Sequence, residues 1–412
     1  MEEGFTLSCK GKDSDLIATD QKLAAEFSRA VQSRNPVTGL THDFYRYPAR
    51  FSPEFSRAAI KAFTDPGDLI LDPFLGAGTT AIEAVLLRRP IIGVDISSLA
   101  IFLANVKTTP LFEADIYAIQ EWGENIESKL NMHTPPMRAY EWIDKGYQKN
   151  ITGKNTWPIR KAIELALANI DQLKQASNRN FIRCVLLKTG QWAFDCKKKI
   201  PSVGAFRQRF LRNLNEMVSG AQEFTEAARD LRLGQKIVKP TLLQRSAIGL
   251  EDDLIFQKEG APRLIITSPP YPGVHVLYHR WQIQGRRETP APFWIAGCLD
   301  GQTSRYYTLG GRKQDSLDTY YEKIYSAFLS LSQVADENTL IAQLIAFSDP
   351  EWQLPRYIDV LNNVGLKEIK LPQLANSQDL RLWREVPNRK WYAHQERSIA
   401  TSKEVVLFHR RR

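Results

Sequence analysis

Apolar positions along this chain follow two different rhythms. In the first, short continuous apolar runs alternate with helical segments. The runs at 69–72, 90–95, 237–244, 263–266, 339–347, 366–371 and 404–409 are too short for helices, and most are apolar at successive positions. Runs of that kind are strands buried on both faces of a parallel sheet. Between them the spacing predicts helices over 79–88, 97–106, 316–334 and 354–363, preceded by helices near 20–32 and 50–63, the second entered through Ser52-Pro53-Glu54. This alternation predicts an α/β fold: a seven-stranded, doubly wound Rossmann-like sheet whose last two strands form an antiparallel edge pair.

In the second rhythm, from 108 to 235, helical spacing runs on with little strand character. One helix starts at Trp157-Pro158 with a stripe of Ile163, Leu165, Ala166 and Ile170, a second covers 181–190, and a third covers 203–219. Phe206, Phe210, Leu214 and Met217 share one face of the third, and aromatics at that spacing read as core. The chain is therefore expected to divide into an N-terminal half-domain at 1–107, a helical insert at 108–237 and a second half-domain at 238–412.

Charge changes the picture of the insert. The 412 residues carry a formal net charge of +9, and residues 138–239 alone hold 20 Lys and Arg against 9 Asp and Glu. A single lysine is usually just solvated. Lys197, Lys198 and Lys199, followed by Arg207, point to a polyanion-binding surface. A second basic stretch follows Tyr271, where His279, Arg280, Arg286, Arg287 and Arg305 interleave with Tyr278, Trp281 and Tyr306. Residues 272–314 read as one long irregular loop, a length that is usually functional. The four cysteines form no CxxC pair and read as reduced thiols. His275 and His279 lack a third ligand nearby, so no metal is expected. The acidic start Met1-Glu2-Glu3-Gly4 does not read as a secretory leader, so none is expected, and no apolar run is long enough to suggest a membrane span.

Two motifs carry candidate chemistry. Thr267-Ser268-Pro269-Pro270-Tyr271 follows the 263–266 strand, at the sheet edge where open α/β folds bind ligands. The prolines stiffen the corner, Ser268 offers an acceptor and Tyr271 a flat face. Such a clamp suits a planar ring with an exocyclic amine. Upstream, a strand runs into Asp72-Pro73-Phe74-Leu75-Gly76-Ala77-Gly78-Thr79-Thr80, whose glycines allow a tight turn against a ligand and whose threonines can cap the next helix. Asp95 ends the following strand 17 residues after Gly78, near the spacing of a ribose-gripping acid. The spacing also fits a dinucleotide fold, but Ala81 replaces the third glycine.

Together these motifs resemble the amino-group DNA methyltransferases that use S-adenosylmethionine. The resemblance covers roughly 41–107 and 239 to the C-terminus. It implies that Asp72, Pro73, Phe74, Gly76, Gly78, Thr79, Thr80, Asp95 and Ile96 bind the cofactor. The segment holding Tyr47, Pro48 and Arg50 is similar to the one that closes over the cofactor's methionine end. Ser268, Pro269, Pro270 and Tyr271 resemble the catalytic motif, in the serine form common among N4-cytosine enzymes. Ser246 departs from the acid often found at that place. The implied activity is methylation of the exocyclic amine of a flipped base in double-stranded DNA, cytosine N4 ahead of adenine N6. The implied setting is a prokaryotic cytoplasm, nucleoid-associated, in restriction-modification or phage defence, with a cognate restriction nuclease as partner. Carbon-5 chemistry is disfavoured, since no Pro-Cys pair exists and Cys298 has no adjacent base. An RNA amino-methyltransferase and a non-catalytic nucleic-acid-binding subunit are the alternatives.

Overall fold

The computed structural model describes residues 21–47, 51–134, 140–229, 237–272, 280–285, 287–300, 314–386 and 402–412. The strands among the described residues are β1 (Ile70–Asp72), β2 (Ile91–Asp95), β3 (Thr241–Gln244), β4 (Leu264–Thr267), β5 (Trp281–Ile283), β6 (Arg287–Thr289), β7 (Leu340–Ala346), β8 (Leu366–Ile369), β9 (Leu382–Val386) and β10 (Ser402–Arg411). The central sheet has the order β3-β2-β1-β4-β7-β10-β8, with β9 also paired to β10. β1 to β4 and β7 are mutually parallel neighbours, and β10 runs antiparallel to β7 and β8.

The seven strands read from the sequence are all present, and β9 joins them as an eighth. Its residues Leu382 to Val386 pair with Val406 to Ser402. By sequence alone, the basic segment starting at Arg384 reads as a proline-bent loop. The pairing partner lies about twenty residues further on, so no local signal betrays the strand; residues 387–401 lie outside the described residues.

The chain moves outward from β1 through β2 to β3, then returns to place β4 on the other side of β1. In open α/β sheets such a reversal sends the helices of neighbouring strands to opposite faces and places ligand-binding crevices beyond the strand ends. Ile70 pairs with Leu264 and Leu71 with Ile265, so β1 and β4 end side by side. One face of the sheet is covered by the Gln21–Gln32 and Pro53–Phe63 helices, whose Phe27, Phe55 and Phe63 cluster with Phe408 of β10. The other is covered by the Gln314–Val334 and Pro350–Asn363 helices, with Phe328 and Tyr357 edge to face.

The insert is helical as expected: Glu113–Glu127, Trp157–Ala168, Ala176–Phe194 and Val203–Ala228 are its long helices. Phe206, Phe210, Leu214 and Met217 are buried in its core. The stretch after Tyr271 departs from the expected irregular loop. It contains the β5–β6 hairpin and an Ala291–Ala296 helix, and Trp281, Phe293 and Trp294 enter the same core as the insert. Gln282 N–H donates to Asp195 Oδ1 at 3.0 Å, and Cys196 N–H donates to Gln282 O at 2.8 Å. Trp281 Nε1–H donates to Tyr45 Oη at 2.9 Å, tying the hairpin to the segment that resembles the cofactor-closing one. Three-residue strands held in place by contacts to a segment far earlier in the chain leave no periodic trace in the sequence.

Candidate active site at the junction of β1 and β4

The Asp72–Thr80 loop leaves β1 as a turn whose shape only glycine supports. Gly78 takes a left-handed conformation (φ +82°), and a Cβ there would lie 2.8 Å from Ala104 Cβ and 2.9 Å from Ala104 Cα. Gly76 is also left-handed (φ +55°), and the space its side chain would fill faces the Tyr47 ring at 3.5 Å. Tyr47 is thus brought against the loop; Pro48 and Arg50 lie outside the described residues. The following helix is Thr79–Leu86 with Gly78 as its N-cap and no side-chain cap. The two threonines therefore do not cap it. The left-handed glycine already closes the turn, and both threonines enter the first helical turn, buried.

Asp95, at the end of β2, takes the Gly76 N–H on Oδ2 and the Ser97 N–H on Oδ1, each at 2.8 Å. Ser97 itself caps the Ser98–Thr108 helix, accepting from Ala100 N–H. Asp95 is therefore not that helix's cap. It is a half-buried acid oriented by two backbone donors, and each oxygen keeps a lone pair for a further donor. Burial raises its carboxyl to about 6, against the pull of those two N–H groups. Ile96, beside it, is half-buried.

Asp72 sits at the end of β1, fully buried. Its Oδ1 accepts from Phe74 N–H at 3.2 Å. Burial pushes its carboxyl up to about 7, while Thr80, the Phe74 N–H and Thr267 pull it down and the Asp95 charge pushes it up. Thr267 belongs to β4, so the two motifs meet here. Asp72 Oδ2, Thr80 Oγ1 and Thr267 Oγ1 are each buried with no hydrogen-bond partner among the described residues. Three unsatisfied polar atoms at a sheet's carboxyl edge are costly unless a ligand or water engages them.

The Ser268–Tyr271 segment follows β4 directly. Ser268 Oγ–H donates to Tyr271 Oη at 3.3 Å, and Tyr271 Oη–H donates to Glu404 Oε1 at 2.9 Å. The Tyr271 ring is half-buried and packs on the sheet face that holds Leu71 and Ile265. Glu404, on β10, belongs to no motif in the sequence. An acid opening the apolar run Val405-Val406-Leu407-Phe408 was the available signal. Likewise His42 and Arg57 both bind the buried Glu83 carboxylate, His42 Nε2 at 2.8 Å and Arg57 Nε at 2.7 Å, which locks the 41–47 segment to the helix after the glycine turn.

The basic residues separate into groups. Lys197, Lys198 and Lys199 are exposed, as is Arg287. Lys197 bridges Ile283, and Ile283 pairs with Arg287, so the two basic positions flank one hairpin. Arg207 is half-buried. Arg280 is engaged by Asp300 at 2.7 Å and is not presented to solvent as a free cation. His279, Arg286 and Arg305 lie outside the described residues. Among the described residues, no helix is long and apolar enough to cross a membrane.

Comparison with known proteins agrees with the motifs. Residues 22–105 match a family described as DNA methylase. The type II methyltransferase M.MjaII of Methanocaldococcus jannaschii is 31% identical over 86 residues, which cover 21% of this chain and 16% of that protein. M.MvaI of Kocuria varians is 29% identical over 103 residues (22% and 23% covered), and M.BsoBI of Geobacillus stearothermophilus is 36% identical over 100 residues (22% and 19%). The matched stretches thus span less than a quarter of each relative. Among solved structures, the rRNA methyltransferase aviRa from Streptomyces viridochromogenes superposes with a TM-score of 0.32 at 10% identity, covering 92% of this chain and 94% of that one, too loosely to bear on substrate. The sequence matches support an amino-group DNA methyltransferase.

Proposed function

We propose that this protein transfers a methyl group from S-adenosylmethionine to an exocyclic amine of DNA, with cytosine N4 as the acceptor. The observation that carries the reading is the meeting of β1 and β4: Asp72 on one strand end interacts with Thr267 on the other. It brings a glycine turn with a diol-competent acid beside a Ser-Pro-Pro-Tyr corner.

In this reading the residues that hold the cofactor are the Gly76–Gly78 turn, Asp95 toward the ribose, Tyr47 against the loop, and Asp72 with Thr80. When bound, the cofactor supplies an electrophilic methyl group. The protein's part is positioning, which is worth roughly 7–11 kcal/mol in well-oriented systems. Ser268 and a carbonyl in the Pro269-Pro270 segment accept the amine's two hydrogens. That draws the nitrogen lone pair out of conjugation with the ring. Tyr271 supplies a face for the base, which leaves its stack to reach the site. The serine at the head of the corner resembles that of N4-cytosine enzymes and favours cytosine over adenine. The insert and the β5–β6 hairpin share one core, and their exposed Lys197, Lys198, Lys199 and Arg287 are suited to backbone phosphates. Recognition of a defined DNA sequence and a role in restriction-modification, with a cognate nuclease, belong to the same proposal.

Incubation of the purified protein with labelled S-adenosylmethionine and duplex DNA, then RNA, tests it. Label recovered as N4-methyldeoxycytidine after digestion is the expected result. N6-methyldeoxyadenosine would move the acceptor to adenine, and label in RNA alone would refute the DNA reading.

A further inference from the structure

Four side chains from three separate segments form a hydrogen-bonded line from the Ser-Pro-Pro-Tyr corner into the sheet. Arg384 of β9 and Glu404 of β10 are directly paired across the two strands. Arg384 Nε donates to Glu404 Oε2 at 2.6 Å, and a second guanidinium nitrogen contacts the same oxygen. The other carboxyl oxygen accepts from Tyr271, whose Oη accepts from Ser268. Glu404 is only 2% exposed. Arg384 Nη1 also donates to Val31 O at 3.4 Å, at the end of the Gln21–Gln32 helix.

The hydrogens along this line have one consistent order. A guanidinium only donates, and a carboxylate paired with it only accepts. Tyr271 has a single hydroxyl hydrogen, and Glu404 takes it. The phenol oxygen is then left to accept, and Ser268 commits its own hydrogen there. What remains on Ser268 Oγ is lone pairs.

We propose that the Glu404–Arg384 pair positions Ser268 as an obligate hydrogen-bond acceptor for the substrate amine. This rests on the function proposed above. A serine hydroxyl rotates and is equally able to donate or accept. A serine hydrogen turned toward the amine nitrogen would compete for the lone pair that attacks the methyl group. The line through Tyr271 removes that orientation. An aspartate at the head of the corner would need no such device, because a carboxylate is already acceptor-only. Glu404 and Arg384 touch no reacting atom; they act through Tyr271 and Ser268.

The test is single-turnover methyl transfer at saturating cofactor and duplex DNA, with cofactor Kd, KM for DNA and thermal midpoint measured alongside. Glu404→Gln retains the volume but brings an amide able to donate to Tyr271, which reverses the line. Transfer is expected to slow about tenfold, the effect of roughly one hydrogen bond at the reacting centre. KM for DNA and cofactor Kd should stay within about threefold of wild type. Tyr271→Phe, which keeps the ring face, should slow transfer similarly. The double variant should be no slower than the slower single one, because both break the same line. A folded Glu404→Gln protein with wild-type turnover, or losses that multiply in the double variant, would overturn the proposal. If Glu404→Gln does not fold, the paired change Glu404→Gln with Arg384→Met removes both buried charges together. Slowed turnover in that protein supports the proposal, and wild-type turnover sinks it. Wild-type protein that methylates no DNA refutes the function proposed above and takes this inference with it, whereas an active wild type beside an unimpaired Glu404→Gln refutes this inference alone.

Discussion

Replacing Gly78 with alanine tests the turn that joins β1 to its helix. The new methyl group would meet Ala104 Cβ at 2.8 Å and Ala104 Cα at 2.9 Å. Both neighbours belong to a buried helix position and have no rotamer with which to retreat. The residue also has φ +82°, a conformation that costs an L side chain roughly 1–2 kcal/mol. Overpacking a rigid site adds about 1–3 kcal/mol. The sum is a destabilisation on the order of 2–5 kcal/mol, which in a chain of 412 residues lowers the thermal midpoint by roughly 2–6 °C. Gly76→Ala is the control. It has the same left-handed backbone, but its nearest neighbour is a Tyr47 ring carbon at an ordinary 3.5 Å. Its cost should be confined to about 1 kcal/mol of backbone strain. Thermal unfolding of the two variants beside wild type decides the matter. A Gly78→Ala midpoint within a degree of wild type, or a Gly76→Ala protein destabilised just as much, would refute the packing argument.

Three further outcomes are expected. Ser268→Ala should slow transfer ten- to a hundredfold with cofactor Kd nearly unchanged, and Asp95→Ala should do the reverse; both acting on cofactor binding alone would show the sites to be misassigned. Because burial raises Asp95 to about 6, cofactor affinity should also weaken as the pH falls through 6 and the carboxylate is lost. Changing Lys197, Lys198 and Lys199 together to alanine should flatten the salt dependence of DNA binding by up to about 0.9 for each phosphate no longer neutralised, while Arg280→Ala, whose partner is Asp300, should lower thermal stability with little change in that slope. His409 is buried neutral beside Gln343, its pKa lowered to about 4 by burial. The unfolded chain takes up that proton below about 6.5 while the folded one refuses it until about 4, so stability falls with acid across this window by at most about 3 kcal/mol. The stability gap between wild type and His409→Gln should narrow from pH 7 to pH 4, and parallel curves would contradict the assignment.

Much of the sheet was legible because its strands are buried on both faces and therefore apolar at successive positions. β7 is buried along all seven residues, and its apolar run marks it to within one residue at each end. The glycine turn was legible for a related reason: few residue types adopt its backbone, so composition and conformation are tied. β5, β6 and β9 were not legible. They are three to five residues long; β5 and β6 are too short to show a period and pair with each other, while β6 and β9 carry charged residues and β9 owes its strand character to β10. Glu404 was hidden in the same way, since an acid at a strand start looks solvent-facing until its cross-strand partner is known.

By itself, then, the sequence determined which segments are strands of a parallel sheet and which residue types stand ready at their ends, because burial and backbone freedom are written in residue identity. Only the tertiary structure decided that β1 and β4 lie side by side, that the hairpin after Tyr271 shares a core with the insert, and that Arg384 reaches Tyr271 through Glu404. Those depend on strand order and on pairings between distant segments, and such contacts are set by the packing of the whole chain.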